Sequence, residues 1–346
     1  MKKLKVAIAG YGIVGKKRHQ FIKENNLLEV VAISDNDNKQ FKTNDSSIKF
    51  FTSYDKMFKL EFDVLFVCLV NNVAADATIK GLEKGCHVFC EKPPGMNVEE
   101  ILNVIKIEKK YPKLKLKYGF NHRYHSSVEK AIELINNETL GTIINMRGVY
   151  GKSQIIPFSG GWRADRKLSG GGILLDQGIH MLDLMRLFSG DFIEIKSFIS
   201  NNYWKHNVED NAYAMLKDVK GRVSTINSSA TQWQHKFNLE INLTEGFIIL
   251  NGILSGSKSY GDEKIIIGKR DDDSTLGQLE QTEIKFLEDK SWKSEIDDFI
   301  LSIINDTEIK FGSSNDALET MKLVFGIYYA DENWQKKYKI SNPFIK

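Results

Sequence analysis

The chain has 346 residues, of which 42% are hydrophobic and 27% charged, and its formal net charge is +3 with both signs spread along it. A nucleic-acid-binding protein would show a concentrated basic face, so this composition argues against that class. No run approaches the roughly 20 apolar residues of a membrane span. The length fits two domains and is sufficient for a full hydrophobic core.

The cysteine content predicts a reducing compartment. Only Cys68, Cys86 and Cys90 are present, and an odd, small number argues against a disulfide framework. The run Cys86–Cys90 (CHVFC) has the apolar character of a buried strand, so we predict no metal site there. The N-terminus leads straight into a short strand and lacks the long apolar region of a signal peptide, so we expect a cytoplasmic protein.

The first 120 residues alternate short apolar runs with helical patterns. Strands are predicted at Lys5–Ala9, Val30–Ser34, Val64–Val70, His87–Cys90 and Lys115–Phe120. Helices are predicted from a glycine-rich turn to about Glu24, at Ala74–Lys84 and at Glu99–Lys109. This alternation is typical of a parallel sheet covered on both faces, so residues 1–120 are predicted to form a doubly wound α/β domain.

The pattern changes after Phe120. Consecutive runs with strand character, separated by turns, predict a large and mostly antiparallel sheet. These runs are Ile143–Tyr150, Phe192–Asn201, Ala212–Lys217, Val223–Thr231, Lys236–Leu243, Phe247–Leu250 and Glu263–Ile267. Helices are predicted at Ser127–Asn136, about Gly172–Phe188, Ser291–Asn305 and Asn315–Glu332. Residues 121–346 are therefore predicted to be an α+β domain for substrate binding and oligomerisation.

A GxGxxG motif directly follows the first predicted strand and opens a helix. Gly10 permits the tight turn, Gly12 lets the backbone approach a pyrophosphate, and Gly15 allows close packing of helix on strand. The backbone of Ile13 and Val14 then lies at a helix N-terminus, where free N–H groups favour phosphates. The motif in this context predicts a dinucleotide-binding Rossmann unit.

Asp35 stands twenty residues beyond Gly15, at the end of the second predicted strand. A carboxylate at this place accepts hydrogen bonds from the adenosine ribose hydroxyls and repels a 2′-phosphate. No arginine occurs in Asn36–Gln40, and Asp37 adds negative charge. We therefore predict NAD rather than NADP as the cofactor.

Lys92 lies in a Glu-Lys-Pro-Pro sequence directly after the strand His87–Cys90. In a doubly wound sheet, ligands bind outside the carboxyl ends of the strands, which places Lys92 at the crevice. Pro93 stiffens the loop that presents it. The alternative is an ordinary surface lysine.

Asp176 and His180 follow a triple glycine in an otherwise apolar run and are spaced i, i+4, so they share one helix face. A polar pair in such a run must be hydrogen-bonded or functional. Histidine exchanges a proton near neutral pH, and a carboxylate one turn away can orient it or bind a substrate hydroxyl. The alternative is a structural Asp–His pair in the core.

Two arginines are candidates for ligand contacts. Arg163, next to Trp162, can pair with a substrate phosphate or carboxylate, contact the nicotinamide side of the cofactor, or cap a helix. Arg123 lies in a segment where His122 and His125 lack the spacing and third partner of a metal site. We expect Arg123 to be the cleft residue and both histidines to be structural.

Together these motifs resemble the Gfo/Idh/MocA oxidoreductase family over nearly the whole chain. The resemblance depends on the GxGxxG turn, Glu91-Lys92-Pro93, Trp162-Arg163 and the glycine-rich helix with Asp176 and His180. It implies a Rossmann domain followed by an open-faced sheet domain, with substrate between them. Members of this family mostly oxidise or reduce a sugar or cyclitol hydroxyl with a nicotinamide cofactor.

The resemblance also implies residue roles. Lys92 would touch substrate and cofactor, His180 would accept the proton, Asp176 would hold the substrate, and Glu91 would contact the nicotinamide ribose. Where the family has a Thr-Pro-Asn-His type of turn, this chain has Leu69-Val70-Asn71-Asn72, with alanine in place of the usual histidine. Asn71 is therefore expected to contact the cofactor mainly through its backbone.

The predicted function is NAD-dependent oxidation or reduction at a hydroxyl or ketone of a sugar derivative. Basic residues of the second domain favour a phosphorylated, acidic or nucleotide-activated sugar; they are Lys152, Arg163, Arg166, Lys167 and Lys205. The alternatives are an NAD-dependent glycosidase, an imine or biliverdin-type reductase, and a non-catalytic NAD-binding regulator. A large sheet with one face free of helices further predicts a homodimer or homotetramer.

Overall fold

The computed structural model describes residues 2–41, 47–155, 160–255, 259–270 and 280–345. These residues form two compact units. The first comprises Met1–Asn121, Lys167–Gly170 and Trp292–Leu318. The second comprises His122–Arg166, Gly171–Ser291 and Glu319–Lys346. The prediction of one boundary at residue 120 placed two of these segments, Lys167–Gly170 and Trp292–Leu318, in the second domain.

Fourteen strands are present in the described part of the chain. They are β1 (Leu4–Ala9), β2 (Leu28–Ser34), β3 (Lys49–Phe51), β4 (Val64–Val67), β5 (His87–Glu91), β6 (Leu116–Gly119), β7 (Ile143–Ser153), β8 (Phe192–Ser200), β9 (Asn211–Asp218), β10 (Val223–Gln232), β11 (Lys236–Leu243), β12 (Gly246–Asn251), β13 (Glu263–Lys269) and β14 (Gln281–Phe286).

The α-helices in the same ranges are α1 (Ile13–Glu24), α2 (Tyr54–Met57), α3 (Asn71–Glu83), α4 (Val98–Glu108), α5 (Ser126–Asn136), α6 (Arg166–Ser169), α7 (Ile179–Ser189), α8 (Ser291–Ile304), α9 (Ser314–Ala330) and α10 (Glu332–Tyr338). A π-helical turn, Leu174–Gly178, runs directly into α7. None of the helices in the described ranges combines the length and the apolar character needed to cross a membrane.

The first unit has a six-stranded sheet in the order β3-β2-β1-β4-β5-β6, with every pair parallel. The strands are almost wholly apolar because both faces are buried. The core includes residues of α8: Phe299 packs edge-on against Phe66 and Phe89. This packing explains why a segment from near the C-terminus belongs to the first unit.

The second unit has an eight-stranded sheet in the order β14-β13-β12-β11-β7-β10-β9-β8. Only the central pair β7 and β10 is parallel. The α/β and the mostly antiparallel α+β folds predicted from the sequence are thus confirmed. The strands β3 and β14 were not predicted from the sequence, because β3 has only three residues and β14 is largely exposed and polar.

Several predicted elements have different bounds. The strand predicted at Val64–Val70 ends at Val67, and α3 begins at Asn71 rather than at the predicted Ala74. The helix predicted from Gly172 begins with the π-helical turn at Leu174 and continues as α7. A π-turn has no distinct apolar period, which is why the sequence predicted one continuous α-helix.

Candidate active site

The glycine-rich turn joins β1 to α1 at the carboxyl edge of the parallel sheet. Gly10 has φ +90°, and a Cβ there would collide with the carbonyl oxygen of Cys68. A Cβ on Gly15 would collide with the carbonyl oxygen of Gly10. By contrast, no atom of the described residues lies within 4 Å of a Cβ built on Gly12, and the Ile13 side chain is 90% exposed. The surface above Gly12 and the start of α1 is therefore open to a pyrophosphate.

Asp35 connects the end of β2 to this turn. Its Oδ2 accepts a hydrogen bond from the Tyr11 backbone N–H at 2.7 Å, and its Oδ1 accepts one from the Asp37 N–H at 2.9 Å. A carboxylate offers about four acceptor positions, so these bonds leave room for two ribose hydroxyls. The residues present fit the adenosine half of NAD, and Asp35 also fixes the turn itself.

Asn71 is the first residue of α3, and its side chain is buried. Its Nδ2 donates a hydrogen bond to the carbonyl oxygen of Ser169 at 2.8 Å. The amide side chain thus has a structural partner within the first unit. The predicted contact of the Asn71 backbone with the cofactor, at the N-terminus of α3, stays a prediction.

Glu91, the last residue of β5, makes a buried ion pair that the sequence did not predict. Its Oε1 accepts a hydrogen bond from Arg18 Nε at 2.5 Å, and Arg18 Nη2 donates to Glu295 Oε2 at 2.6 Å. The guanidinium group of Arg18 lies between the rings of Phe89 and Trp292 at 4.4 and 4.3 Å. Oε1 of Glu91 is thus engaged with Arg18, and the expected contact of Glu91 with the nicotinamide ribose stays a prediction.

Lys92 follows Glu91 directly, at the carboxyl edge of the parallel sheet, and is half-buried. The ion pair between Glu91 and Arg18 holds the end of the strand that presents it. The location matches the one that the sequence predicted for Lys92 from the strand order. Its contact with substrate stays a prediction.

In the second unit, Asp176 lies in the π-helical turn and His180 in the first turn of α7. The Asp176 side chain is 26% exposed, whereas His180 is buried. The buried Glu209 caps this segment: its carboxylate accepts hydrogen bonds from the N–H groups of Gly172 and Leu174 at 2.8 and 2.9 Å. No local pattern predicted this cap, because Glu209 is more than thirty residues away along the chain.

Arg163 and Asp176 are brought together. Arg163 Nε lies 3.5 Å from Asp176 Oδ2, and the guanidinium group stacks on the ring of Trp162 at 4.3 Å. Arg163 is 47% exposed, so its guanidinium group is accessible to solvent. Half-buried Lys152 of β7 lies near enough for its charge to interact with both; burial lowers its pKa, and Asp176 opposes that shift.

Arg123 does not line a cleft as predicted. It is 3% exposed, and its Nε and Nη2 donate to the two carboxylate oxygens of fully buried Asp183 at 2.7 and 2.6 Å. We correct the assignment: Arg123 is a structural residue of the core. His125 is also structural, since its Nδ1 lies 2.6 Å from Glu263 Oε2.

His122, predicted to be structural, lies beside a predicted catalytic residue instead. Its ring stacks on that of His180, with centroids 3.8 Å apart and planes inclined by 13°. Its Nε2 lies 3.2 Å from Tyr150 Oη. These contacts keep His122 buried, and no pattern in the sequence predicted that its ring would stack on His180.

The fold and these residues define a class of protein: a dinucleotide-binding α/β unit and an α+β unit that carries a carboxylate and a histidine on one helical segment. Residues 4–120 match the description "Oxidoreductase family, NAD-binding Rossmann fold" and residues 128–249 match "GFO/IDH/MocA C-terminal domain". The chain belongs to the Gfo/Idh/MocA oxidoreductase family, and NAD is the cofactor of its first unit. The resemblance and the cofactor predicted from the sequence are both confirmed.

Several known proteins are similar. D-glucoside 3-dehydrogenase of Escherichia coli (strain K12) is 32% identical over 209 residues, 58% of this chain and 58% of that protein. Myo-inositol 2-dehydrogenase of Thermotoga maritima is 24% identical over 277 residues, 77% of this chain and 81% of that protein. The chain thus spans little more than half the length of the first of these relatives.

Among solved structures, levoglucosan dehydrogenase in complex with NADH and L-sorbose has a TM-score of 0.84 at 18% identity. The match covers 96% of this chain and 98% of that chain. This likeness shows the common fold.

Proposed function

We propose that this protein is an NAD-dependent oxidoreductase that oxidises a hydroxyl of a sugar-type substrate, or reduces the corresponding ketone. The observation that carries the proposal is the Asp176–His180 segment: a half-exposed carboxylate beside Arg163, one turn from a buried imidazole, in a chain with an NAD-binding domain. Relatives named as dehydrogenases of a glucoside and of myo-inositol support a polyhydroxy substrate.

When bound to the first unit, NAD+ would supply the acceptor for the hydride that leaves the carbon carrying the hydroxyl. His180 accepts the proton of that hydroxyl as general base. Asp176 accepts a hydrogen bond from a neighbouring hydroxyl, and Arg163 holds the Asp176 carboxylate in place. Lys92 is the proposed donor to the developing oxyanion, and its assignment stays a prediction.

The substrate class is the finer part of the proposal. Arg163 and Lys152 place two cationic side chains close to Asp176, more positive charge than one carboxylate balances. This charge favours a sugar with a phosphate or carboxylate group. A panel of neutral glycosides, cyclitols, sugar phosphates, sugar acids and nucleotide sugars tests the class through net NADH formation.

The central test is His180→Asn. We expect turnover to fall by about 10²–10⁴-fold while the affinity for NADH, measured by fluorescence titration, stays the same. His206→Asn is the matched control, because His206 is a histidine of the same unit outside the proposed machinery. Unchanged turnover in His180→Asn would remove His180 from the mechanism. Product formation without net NADH would instead identify the glycosidase alternative.

We also propose that the protein is a homodimer or homotetramer. Three large side chains stand exposed on one face of the second sheet, namely Phe198 (80%), Tyr213 (51%) and Met215 (55%). Phe198 and Tyr213 are cross-strand partners on β8 and β9, so they form one patch. Light scattering of Phe198→Glu should show a shift toward monomer, and an unchanged mass would place the interface elsewhere.

A further inference from the structure

The stacked pair of His122 and His180 has a geometry that excludes proton transfer between its members. Both side chains are buried, and the planes of their rings are nearly parallel at a centroid separation of 3.8 Å. The ring N–H groups lie in those planes and point past each other. His122 therefore acts on His180 only through packing and charge.

The orientation of His122 is fixed by a series of ring contacts. Its Nε2 lies 3.2 Å from Tyr150 Oη, and the Tyr150 ring packs edge-on against Phe237 and Tyr260, each at 5.3 Å. Burial raises the pKa of Tyr150 well above its ordinary value, so the phenol keeps its proton.

We propose that His122 is a positioning residue for His180: it fixes the plane of the His180 ring and opposes a second positive charge in the pair. His180 then stays neutral and ready to accept the substrate proton at lower pH than it would alone. This inference depends on the proposed function of His180 as general base. Two imidazoles in van der Waals contact are coupled through their charges and titrate as a pair.

Other charged and titratable groups surround the pair and also act on the protonation of His180. Two ion pairs in the surrounding elements each sum to zero charge, Arg123 with Asp183 and Arg163 with Asp176, and His125 Nδ1 lies 2.6 Å from the Glu263 carboxylate. Further titratable side chains on these elements include Tyr124, Tyr150, Lys152, Tyr260 and His235, together with exposed Arg147 and with Arg186, which pairs with Asp191. Lys152 adds one further positive charge, which opposes protonation of His180 as a proton on His122 does.

The test compares His122→Phe with His122→Leu in the full chain. Phe keeps a flat ring against His180 but takes no proton, and its face favours a cation. We expect the acidic limb of the kcat/KM profile to move up by about one pH unit, with kcat at the alkaline plateau within about threefold of wild type. Leu also loses the flat ring, so its plateau kcat should fall about tenfold or more at an unchanged KM for NADH.

A measurement that does not depend on turnover accompanies the kinetics. The chain has seven histidines, and ring-labelled protein without cofactor gives one NMR titration for each. In wild type, His180 should titrate in two steps shared with His122; in His122→Phe it should titrate in one step, about one pH unit higher. His206→Asn is the control, with both profiles unchanged.

The outcomes separate this inference from the proposed function. If His180→Asn turns over normally, the role of His180 as base fails, whereas the NMR titration still reports the coupling. If the His122→Phe profile and the His180 titration both superimpose on wild type, the positioning role is overturned. If neither His122 variant folds, Tyr150→Phe provides the same test, because it removes the partner of His122 Nε2 and keeps the core volume. An unchanged titration of His180 in Tyr150→Phe also overturns the inference.

Discussion

The buried pair of Arg123 and Asp183 leads to a prediction that separates a structural residue from a ligand-binding one. Arg123→Met removes both charge-assisted bonds, at 2.7 and 2.6 Å, from a carboxylate that has no exposed surface. Asp183 would keep the hydroxyl of Thr320 at 3.3 Å, which does not balance its charge. Removing one partner of a buried ion pair costs about 3–5 kcal/mol, and we expect a loss of this size in the free energy of unfolding.

The assay is urea unfolding at pH 7, with the double variant Arg123→Met/Asp183→Leu completing the cycle. The double variant leaves no uncompensated charge, so most of the lost free energy should return. Lys130→Met is the control, because it breaks an exposed pair with Glu133 and should cost under about 0.5 kcal/mol. A variant Arg123→Met of wild-type stability, with the substrate KM raised more than tenfold, would refute the reasoning and restore Arg123 to the cleft.

Two further predictions concern the first unit. Asp35→Asn should weaken NADH binding more than NADPH binding in fluorescence titrations, because the charge that repels a 2′-phosphate is gone. The control Asp37→Asn should change the affinity for both cofactors little. Equal losses of affinity for both cofactors in Asp35→Asn would contradict this prediction. Burial raises the pKa of Glu295 to about 7, so the native state keeps a proton that the unfolded chain releases near its ordinary pKa of 4.5. This stabilisation is present below pH 4.5 and is lost as the pH rises through 7. Between pH 5 and 8 the free energy of unfolding of wild type should therefore fall by about 2–3 kcal/mol relative to that of Glu295→Gln. If urea unfolding gives the same pH dependence for both proteins, the raised pKa of Glu295 is excluded.

Local patterns in the sequence determined the fold class and much of the cofactor site. The glycine turn and Asp35 were predictable because each role depends on residue type and spacing within a strand–turn–helix unit. Asp176 and His180 were found in the same way, since a polar pair in an apolar helical run is a local signal.

Only the tertiary structure decided which polar groups are partners. Arg123 and His122 are neighbours in one short segment, yet one pairs with Asp183 and the other stacks on His180. Likewise, Glu295 of α8 joins Arg18 in the first unit, although nearly the whole chain separates them. Contacts of this kind leave no period in the sequence, because the partners are set by packing of elements and not by spacing along one element. For this reason the sequence predicted Asp176 and His180 as a pair but not the side chains that pack against them.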